Sequence, residues 1–357
     1  LPQRCLPELL AEQGYTTAFL QSATEHFERR RDTVANLGFH RFIPVNKMDN
    51  TGFRKANYFG YEDDIMLGPA RNWLGTVREK PFMLSFLTVT AHHDYEVEGN
   101  DPIDFVDRPL LNTYLNAVHV QDRFVGNVID MFKELGLYED TVFVISGDHG
   151  EGFGENGIDL HGYHLYAAQT KVPLIVRVPG IEPRRSTLPA GHIDLLPTLA
   201  NLAGAPPSED MMGRSLVGAM LGDDHDRVVF QQLSYENNNE MRAGVSRDCH
   251  VIYNVSPNTS WEVYRLDRDP LETTDLAGDR EVCAETRRAV ERWFDAEQVP
   301  RGAVEALLPQ RPEIAAPLDV DLGASVRLLS VEAPTASTSL AHAIGAEIGA
   351  CRIDFTK

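Results

Sequence analysis

Residues 142–180 read VFVISGDHGEGFGENGIDLHGYHLYAAQTKVPLIVRVPG, and this stretch decides the fold. The apolar run at its start ends with Ile145 and gives way to Ser146-Gly147. We therefore predict that Asp148 and His149 emerge at the carboxyl end of a buried strand in a parallel sheet. Because open α/β sheets build their sites at this edge, a functional site is expected there.

The Asp148-His149 pair has the chemistry of a metal site. A hard carboxylate oxygen beside an imidazole nitrogen suits Zn²⁺ or Mn²⁺ and, less comfortably for the imidazole, Ca²⁺. His161 follows on a glycine-rich connection that can fold back over such an ion. Read alone, such a dipeptide is far more often a solvated loop pair than a metal site, and it is the surrounding motifs that favour the metal site.

Those motifs, in this order, resemble the sulfatase family of the alkaline phosphatase superfamily. The resemblance covers roughly residues 1–279 and corresponds to the C-terminal portion of that family's catalytic domain. The segments that carry it are Leu6-Pro7-Glu8-Leu9-Leu10, Thr90-Ala91-His92-His93-Asp94-Tyr95, Gly147-Asp148-His149-Gly150-Glu151, His161-Gly162, Lys171-Val172-Pro173-Leu174-Ile175, His192-Ile193-Asp194-Leu195-Leu196-Pro197-Thr198-Leu199, Gly213-Arg214-Ser215-Leu216 and Asp269-Pro270-Leu271-Glu272.

The resemblance implies a role for each candidate site residue. Asp148 and His149 are expected to be two ligands of a divalent metal, Ca²⁺ in a sulfatase and Zn²⁺ or Mn²⁺ in a transferase-like relative. His161 and His92 are the expected catalytic residues, which contact the ester oxygens or the leaving group. His93 is expected to point away from the site, because neighbouring residues of an extended chain face opposite sides.

The resemblance also implies parts that lie outside this sequence. The acidic residues of the family's first strand and the nucleophile of its C/S-x-P-x-R segment are expected before Leu1. Cys5-Leu6-Pro7 spells C-x-P, but Leu9 stands where the arginine belongs, so Cys5 is interpreted as structural. We expect the chain by itself to be inactive and to bind metal poorly, because two ligands do not make a complete site.

The function that follows is sulfate ester hydrolysis with a divalent metal and an upstream covalent nucleophile. The first alternative is a phosphoethanolamine or phosphoglycerol transferase, or a phosphodiesterase. Two segments favour it. Asn36-Leu37-Gly38-Phe39 resembles that branch of the superfamily, and residues 21–26 read QSATEH, without the lysine and the histidine that arylsulfatases carry at the matching positions of GKWHLG. A second alternative is a non-catalytic sulfatase-like binding domain.

Composition limits partners and compartment. With 33 basic and 53 acidic residues the net charge is −20, which argues against nucleic acid and in favour of a local positive site for an anionic ester. No window is apolar enough to predict a transmembrane segment. The spacing of the 4 cysteines indicates neither a zinc knuckle nor a disulfide framework, so neither compartment nor oligomeric state is predicted.

Alternating helical and strand-like segments predict an α/β fold. We expect an alkaline-phosphatase-like sheet with helices on both faces and a small C-terminal antiparallel sheet. The predicted division is a catalytic domain over residues 1–225, an α+β subdomain over 226–297, a proline- and alanine-rich linker over 298–318, and the truncated start of a β-rich module over 319–357.

Overall fold

The computed structural model describes residues 4–26, 29–95, 97, 101–206, 211, 213–223, 225–235, 239–297 and 327–332. The described residues form a large, mostly parallel sheet with helices on both faces and a smaller antiparallel sheet, which confirms the predicted fold class. The large sheet has six strands in the spatial order β2 (Arg41–Pro44), β1 (Thr16–Gln21), β3 (Phe82–Leu87), β12 (Arg327–Glu332), β4 (Thr141–Ser146) and β7 (Leu174–Arg177). Only β7 runs antiparallel to its neighbour.

The two faces of this sheet follow from side-chain alternation along its strands. Phe82, Leu84 and Phe86 point to one face and pack with α3 (Leu67–Val77) and α4 (Pro109–Glu134). Met83 points to the other face, where the helices are α1 (Leu6–Glu12), α6 (Leu195–Leu202) and α7 (Val217–Met220). Two shorter helices are α2 (Arg30–Asn36) and α5 (Ala167–Thr170).

Helix α4 begins earlier than its hydrophobic periodicity predicts. The sequence predicts residues 112–135, and the helix runs from Pro109 to Glu134. Proline is compatible with the first turn, because the amide it lacks would have no partner within the helix there. The helix ends before Gly136, whose φ of +67° lies in the left-handed region that glycine adopts without strain.

The smaller sheet is a meander of β8 (Val229–Tyr235), β9 (Asn239–Val245), β10 (Cys249–Ser256) and β11 (Ser260–Arg265), as predicted. Helix α8 (Ala284–Glu297) covers one face of it. Gly244 allows this close approach, because a Cβ atom there would lie 2.7 Å from Val290 Cγ2. Trp293 of α8 adds to this packing, because its ring stacks on that of Phe230 with 5.0 Å between the ring centroids.

The described part of residues 319–357 is strand β12, and it lies inside the large sheet. It pairs in parallel with β3 and β4 and lies between them in the sheet. The proposed linker over residues 298–318 lies outside the described residues. The division of the chain into domains stays a prediction.

One expectation about the cysteines is wrong. Cys249 and Cys283 form a disulfide that closes a loop of 34 residues between the start of β10 and the approach to α8. Their distance in sequence hid the pair, because the packing of α8 on the small sheet is what brings their Cα atoms within 5.8 Å. In the described part of the chain no helix is both long and apolar enough to span a bilayer.

We predict that the double replacement Cys249→Ser and Cys283→Ser lowers the free energy of unfolding by about 2–4 kcal/mol, because the unfolded chain gains the entropy that the 34-residue loop restricts. Urea denaturation followed by circular dichroism measures this. Cys5→Ser is the matched control, since Cys5 is not part of the bridge, and should change stability by less than about 0.5 kcal/mol. A double variant as stable as the parent would show that the bridge contributes nothing.

Candidate active site

The candidate site lies at the carboxyl edge of the large sheet, in the connections that follow β3 and β4. The chain leaves β4 at Ser146 and turns at once through Gly147. His192 secures this turn, because its Nε2 lies 2.7 Å from the Gly147 carbonyl oxygen and 3.2 Å from Ser146 Oγ. The turn that presents Asp148 is therefore held from outside its own loop.

The motif that contains His192 has its own buried anchor, Asp194. This carboxylate has no exposed surface and accepts hydrogen bonds from the backbone amides of Gly191 and Arg214 at 2.8 Å. The Arg227 guanidinium also pairs with it. Asp194 thus joins the start of α6 to the segment before β8. The motif that contains His192 and Asp194 therefore supports the site structurally.

Gly150 fixes the next turn. Its amide donates to the Gln169 carbonyl at 2.8 Å, and a Cβ atom at this position would lie 2.2 Å from the Ala168 carbonyl oxygen. Only glycine allows the backbone to approach α5 so closely. The residues after Gly150 form a short hairpin of β5 (Gly152–Phe153) and β6 (Asp159–Leu160), which returns the chain to His161.

Asp148 and His149 each present to the same space an atom whose chemistry suits a metal ion. His149 Nδ1–H donates to the Gly150 carbonyl at 2.8 Å, so the lone pair lies on Nε2. That Nε2 is 3.6 Å from Asp148 Oδ2. A backbone carbonyl that fixes the tautomer is typical of metal-binding histidines. The pair fits a divalent cation in chemistry and orientation, and among the described residues no group of three or more His, Cys, Asp and Glu side chains could hold one.

His161 lies directly over His149, with ring centroids 3.9 Å apart and the planes 29° from parallel. Its Nδ1–H donates to Glu151 Oε1 at 3.1 Å. The opposite carboxylate oxygen, Glu151 Oε2, accepts from the Tyr95 hydroxyl at 2.6 Å. This Tyr95–Glu151–His161 relay fixes the imidazole so that Nε2 is the atom left for a ligand.

The relay controls charge as well as position. The hydrogen bond to Glu151 raises the pKa of His161 against the opposing effect of burial, and the charges of Glu151 and Asp148 raise it further. Burial would raise the pKa of Glu151, but the hydrogen bonds from His161 and Tyr95 and the histidine charges hold it below its ordinary value. Glu151 is only 5% exposed. The contact therefore favours the imidazolium form of His161 and the carboxylate form of Glu151.

His92 completes the cluster from the β3 side. Burial lowers its pKa, and the charges of His161, His93 and His149 contribute to the same shift, so His92 lies within electrostatic range of these side chains. Its Nδ1–H donates to the His93 carbonyl at 3.1 Å, so neutral His92 carries its lone pair on Nε2. The surroundings therefore favour the neutral form of His92 and the protonated form of His161.

The structure brings together the four side chains that the sequence singles out, namely His92, Asp148, His149 and His161. His93 differs from His92 in position, because its Nδ1 lies 3.4 Å from Asp94 Oδ1 and the side chain is about half exposed. His164 belongs to another cluster, with Nε2 3.4 Å from Glu262 Oε1. The roles of all these residues stay predictions.

Sequence reasoning missed the residues that support the site. Glu151 is one, and its place in the D-H-G-E segment was the available signal. Glu272 is another: one of its oxygens accepts from the Ala167 amide at 2.7 Å and the other lies 2.5 Å from His250 Nδ1. Its carbonyl accepts from Asn156 Nδ2 at 2.6 Å. The turn before α8 thereby holds both ends of the loop that carries His161.

Glu262 on β11 is a second link between the small sheet and this loop. It accepts hydrogen bonds from the Tyr166 hydroxyl at 2.8 Å, the Tyr264 hydroxyl at 2.7 Å and Asn254 Nδ2 at 2.8 Å. Burial opposes its ionisation, but these donors together with His164 lower the pKa of Glu262 to about 2. No sequence pattern indicated this contact, which depends on how the small sheet packs.

Comparison with known proteins places the chain in a family. The Sulfatase family model matches residues 1–205, and the model described as N-sulphoglucosamine sulphohydrolase, C-terminal, matches residues 158–297. Lipoteichoic acid synthase-like YvgJ of Bacillus subtilis (strain 168) is 29% identical over 245 residues, which are 64% of this chain and 39% of that protein. Choline-sulfatase of Rhizobium meliloti (strain 1021) is 29% identical over 220 residues, which are 61% of this chain and 42% of that protein. The chain thus spans about two fifths of these relatives.

Solved structures support the fold. The putative sulfatase yidJ from Bacteroides fragilis is 16% identical, with a TM-score of 0.66 over 86% of this chain and 79% of that one. The lipoteichoic acid synthase LtaP from Listeria monocytogenes is 19% identical, with a TM-score of 0.61 over 87% of this chain and 74% of that one. At these identities the likeness concerns the fold alone.

We predict that Glu151→Gln lowers the pKa of His161, because the neutral amide removes the carboxylate that stabilises the imidazolium. The shift is measured by an NMR titration of the His161 ring. Glu155→Gln is the matched control, since Glu155 accepts from the Phe153 amide. An unchanged His161 titration in Glu151→Gln would contradict the relay.

The same pair predicts a pH dependence of stability. The raised pKa of His161 contributes stability that is fully present below the ordinary histidine value of about 6.5 and is lost as the pH rises through the folded value. The lowered pKa of Glu151 contributes stability that is present above about 4.3 and is lost as the pH falls. Parent and Glu151→Gln should therefore differ most in unfolding free energy between roughly pH 4.3 and 6.5, as urea titrations across pH would show.

Proposed function

Because the chain belongs to the Sulfatase family, we propose that its site cleaves the sulfate ester of an anionic substrate with the help of a divalent metal. The observation that carries the proposal is the cluster of His92, His149 and His161 beside Asp148 at the carboxyl edge of β4. In a chain with a net charge of −20, this cluster together with a bound cation would form the local positive site that an anionic ester needs.

His161 is the proposed donor to the ester. With Nδ1–H committed to Glu151, its Nε2–H is free to hydrogen-bond the bridging oxygen and to transfer a proton as the alcohol leaves. The raised pKa of His161 favours retention of that proton until the ester is bound. Glu151 then stabilises the charge that His161 carries before the transfer.

His92 has a different proposed task. Since burial lowers its pKa, it is neutral in the same pH range, and its Nε2 lone pair accepts a proton or a polarised hydrogen from a bound group. A neutral and a charged imidazole in one cluster are the arrangement that acid–base chemistry requires.

Asp148 and His149 are the proposed metal ligands. A divalent cation bound there would neutralise the oxyanion and polarise its oxygens. Ca²⁺ is the proposed ion for sulfate ester hydrolysis, and Zn²⁺ or Mn²⁺ for the transferase alternative. The expectation that the covalent nucleophile lies upstream of Leu1 stays a prediction, as does the expected inactivity of the chain by itself.

A phospho-group transferase or phosphodiesterase is the second candidate. Its specific support is the similarity to Lipoteichoic acid synthase-like YvgJ and, over 42% of this chain at 28% identity, to Phosphoglycerol transferase I of Xanthomonas campestris pv. campestris. A non-catalytic sulfatase-like binding domain is the third candidate.

For the compartment, the Cys249–Cys283 disulfide supports an oxidising environment, because such bonds persist there.

A side-by-side assay tests the proposal. We expect a protein that also carries the upstream nucleophile to turn over p-nitrophenyl sulfate with added Ca²⁺ and bis-p-nitrophenyl phosphate more slowly, with both activities lost in His161→Gln. Asp148→Asn, purified in the same way, measures the background turnover from contaminating enzymes. Cleavage of the phosphodiester alone would favour the second candidate. Binding of both esters without turnover would favour the third.

We also predict that the chain binds Ca²⁺ or Mn²⁺ weakly and that Asp148→Asn weakens this binding by roughly tenfold or more, because it removes a ligand and not merely a supporting contact. Calorimetric titration measures the affinity. Asp140→Asn is the matched control, since Asp140 precedes β4 at the opposite edge of the sheet. Equal affinities in Asp148→Asn and the parent would remove Asp148 from the metal site.

A further inference from the structure

An exposed aromatic side chain stands beside the histidine cluster. Tyr58 is 62% exposed, the most of any large hydrophobic residue in the described part of the chain. Its ring lies 6.0 Å from that of His92 and 6.4 Å from that of His93, measured between centroids. Phe59, at 4.1 Å, packs on the Tyr58 ring and lies 4.5 Å from His92. Tyr58 therefore borders the space above the proposed oxyanion position.

The loop that presents Tyr58 is firmly built. Asn57 is buried, and its Nδ2 donates to the Val89 carbonyl at 2.6 Å while its Oδ1 accepts from the amides of Phe59 and Gly60 at 2.9 and 3.3 Å. At Gly60 a Cβ atom would lie 2.0 Å from the Ser22 carbonyl oxygen. The backbone is thus fixed on both sides of Tyr58, whose aromatic ring is exposed to solvent.

The charge next to this ring is negative. The Asp94 carboxylate is about half exposed and near enough to Tyr58 to add to the effect of burial in raising the pKa of the Tyr58 hydroxyl. His93, whose Nδ1 is 3.4 Å from Asp94 Oδ1, is the other titratable group there. An aromatic face and a carboxylate side by side both attract a cation.

We propose that Tyr58 and Asp94 form a subsite for an ammonium group carried by the alcohol part of the ester. The inference rests on the proposed function, since it assumes that the oxyanion of the same ester lies at His92, His149 and His161. The ammonium group would then stack on the Tyr58 ring while Asp94 balances its charge. A substrate of this kind is a zwitterion, with its anionic end at the histidines and its cationic end at the rim.

The first experiment tests the subsite without turnover. In NMR titrations of protein with ¹³C-labelled tyrosine rings, tetramethylammonium should shift the Tyr58 signal, which is identified by its absence in Tyr58→Phe. The neutral isostere tert-butanol should bind at least about threefold more weakly. Asp94→Asn should weaken tetramethylammonium binding by a similar factor, and Asp140→Asn should leave it unchanged. Equal binding of the cation and the isostere would overturn the proposal.

The second experiment uses the complete ligand. We expect choline sulfate to bind more tightly than its uncharged isostere, 3,3-dimethylbutyl sulfate, by about threefold or more, and Tyr58→Leu to remove the difference. Calorimetry measures both affinities. Equal affinities in the parent would overturn the subsite while leaving the proposed function intact. Failure of both esters to bind, with tetramethylammonium still bound, would instead contradict the proposed function.

Discussion

The buried carboxylate of Glu151 is the constraint on which the site depends. A carboxylate that is 5% exposed is costly unless every strong partner is in place, and here the Tyr95 hydroxyl and the His161 imidazole supply them. The same contacts set the direction and charge of His161. Because Tyr95 follows β3 and Glu151 follows β4, this one carboxylate also joins the two connections that form the site.

The small antiparallel sheet acts as a support for the site loop. Glu272 holds the Ala167 amide and Asn156, and Glu262 holds Tyr166. Both carboxylates lie beyond the residues that carry the proposed chemistry, and both keep the hairpin between Gly150 and His161 in position. The disulfide at Cys249 strengthens the element from which these supports extend. Removal of the C-terminal sheet would therefore loosen His161 without touching it.

The proposed chemistry and the proposed specificity use different physical effects. In the proposed reaction the histidines and a metal would act on the oxyanion through charge and proton transfer, which depend on pKa values that burial and hydrogen bonding shift. Tyr58 and Asp94 act on the opposite end of the ligand through a ring face and a carboxylate, which need exposure instead of burial. Both sets lie on loops at one edge of one sheet.

The sequence by itself determined the α/β class, the strand that ends at Ser146, the antiparallel meander and the proximity of Asp148 to His149, because periodicity and adjacency are local properties. Family motifs extended this to His92 and His161. Only the tertiary structure decided the Cys249–Cys283 bridge, the Glu151 relay and the Glu272 support, and the position of β12 between β3 and β4. These contacts join residues far apart in the chain, and their partners are selected by packing, which no local pattern encodes.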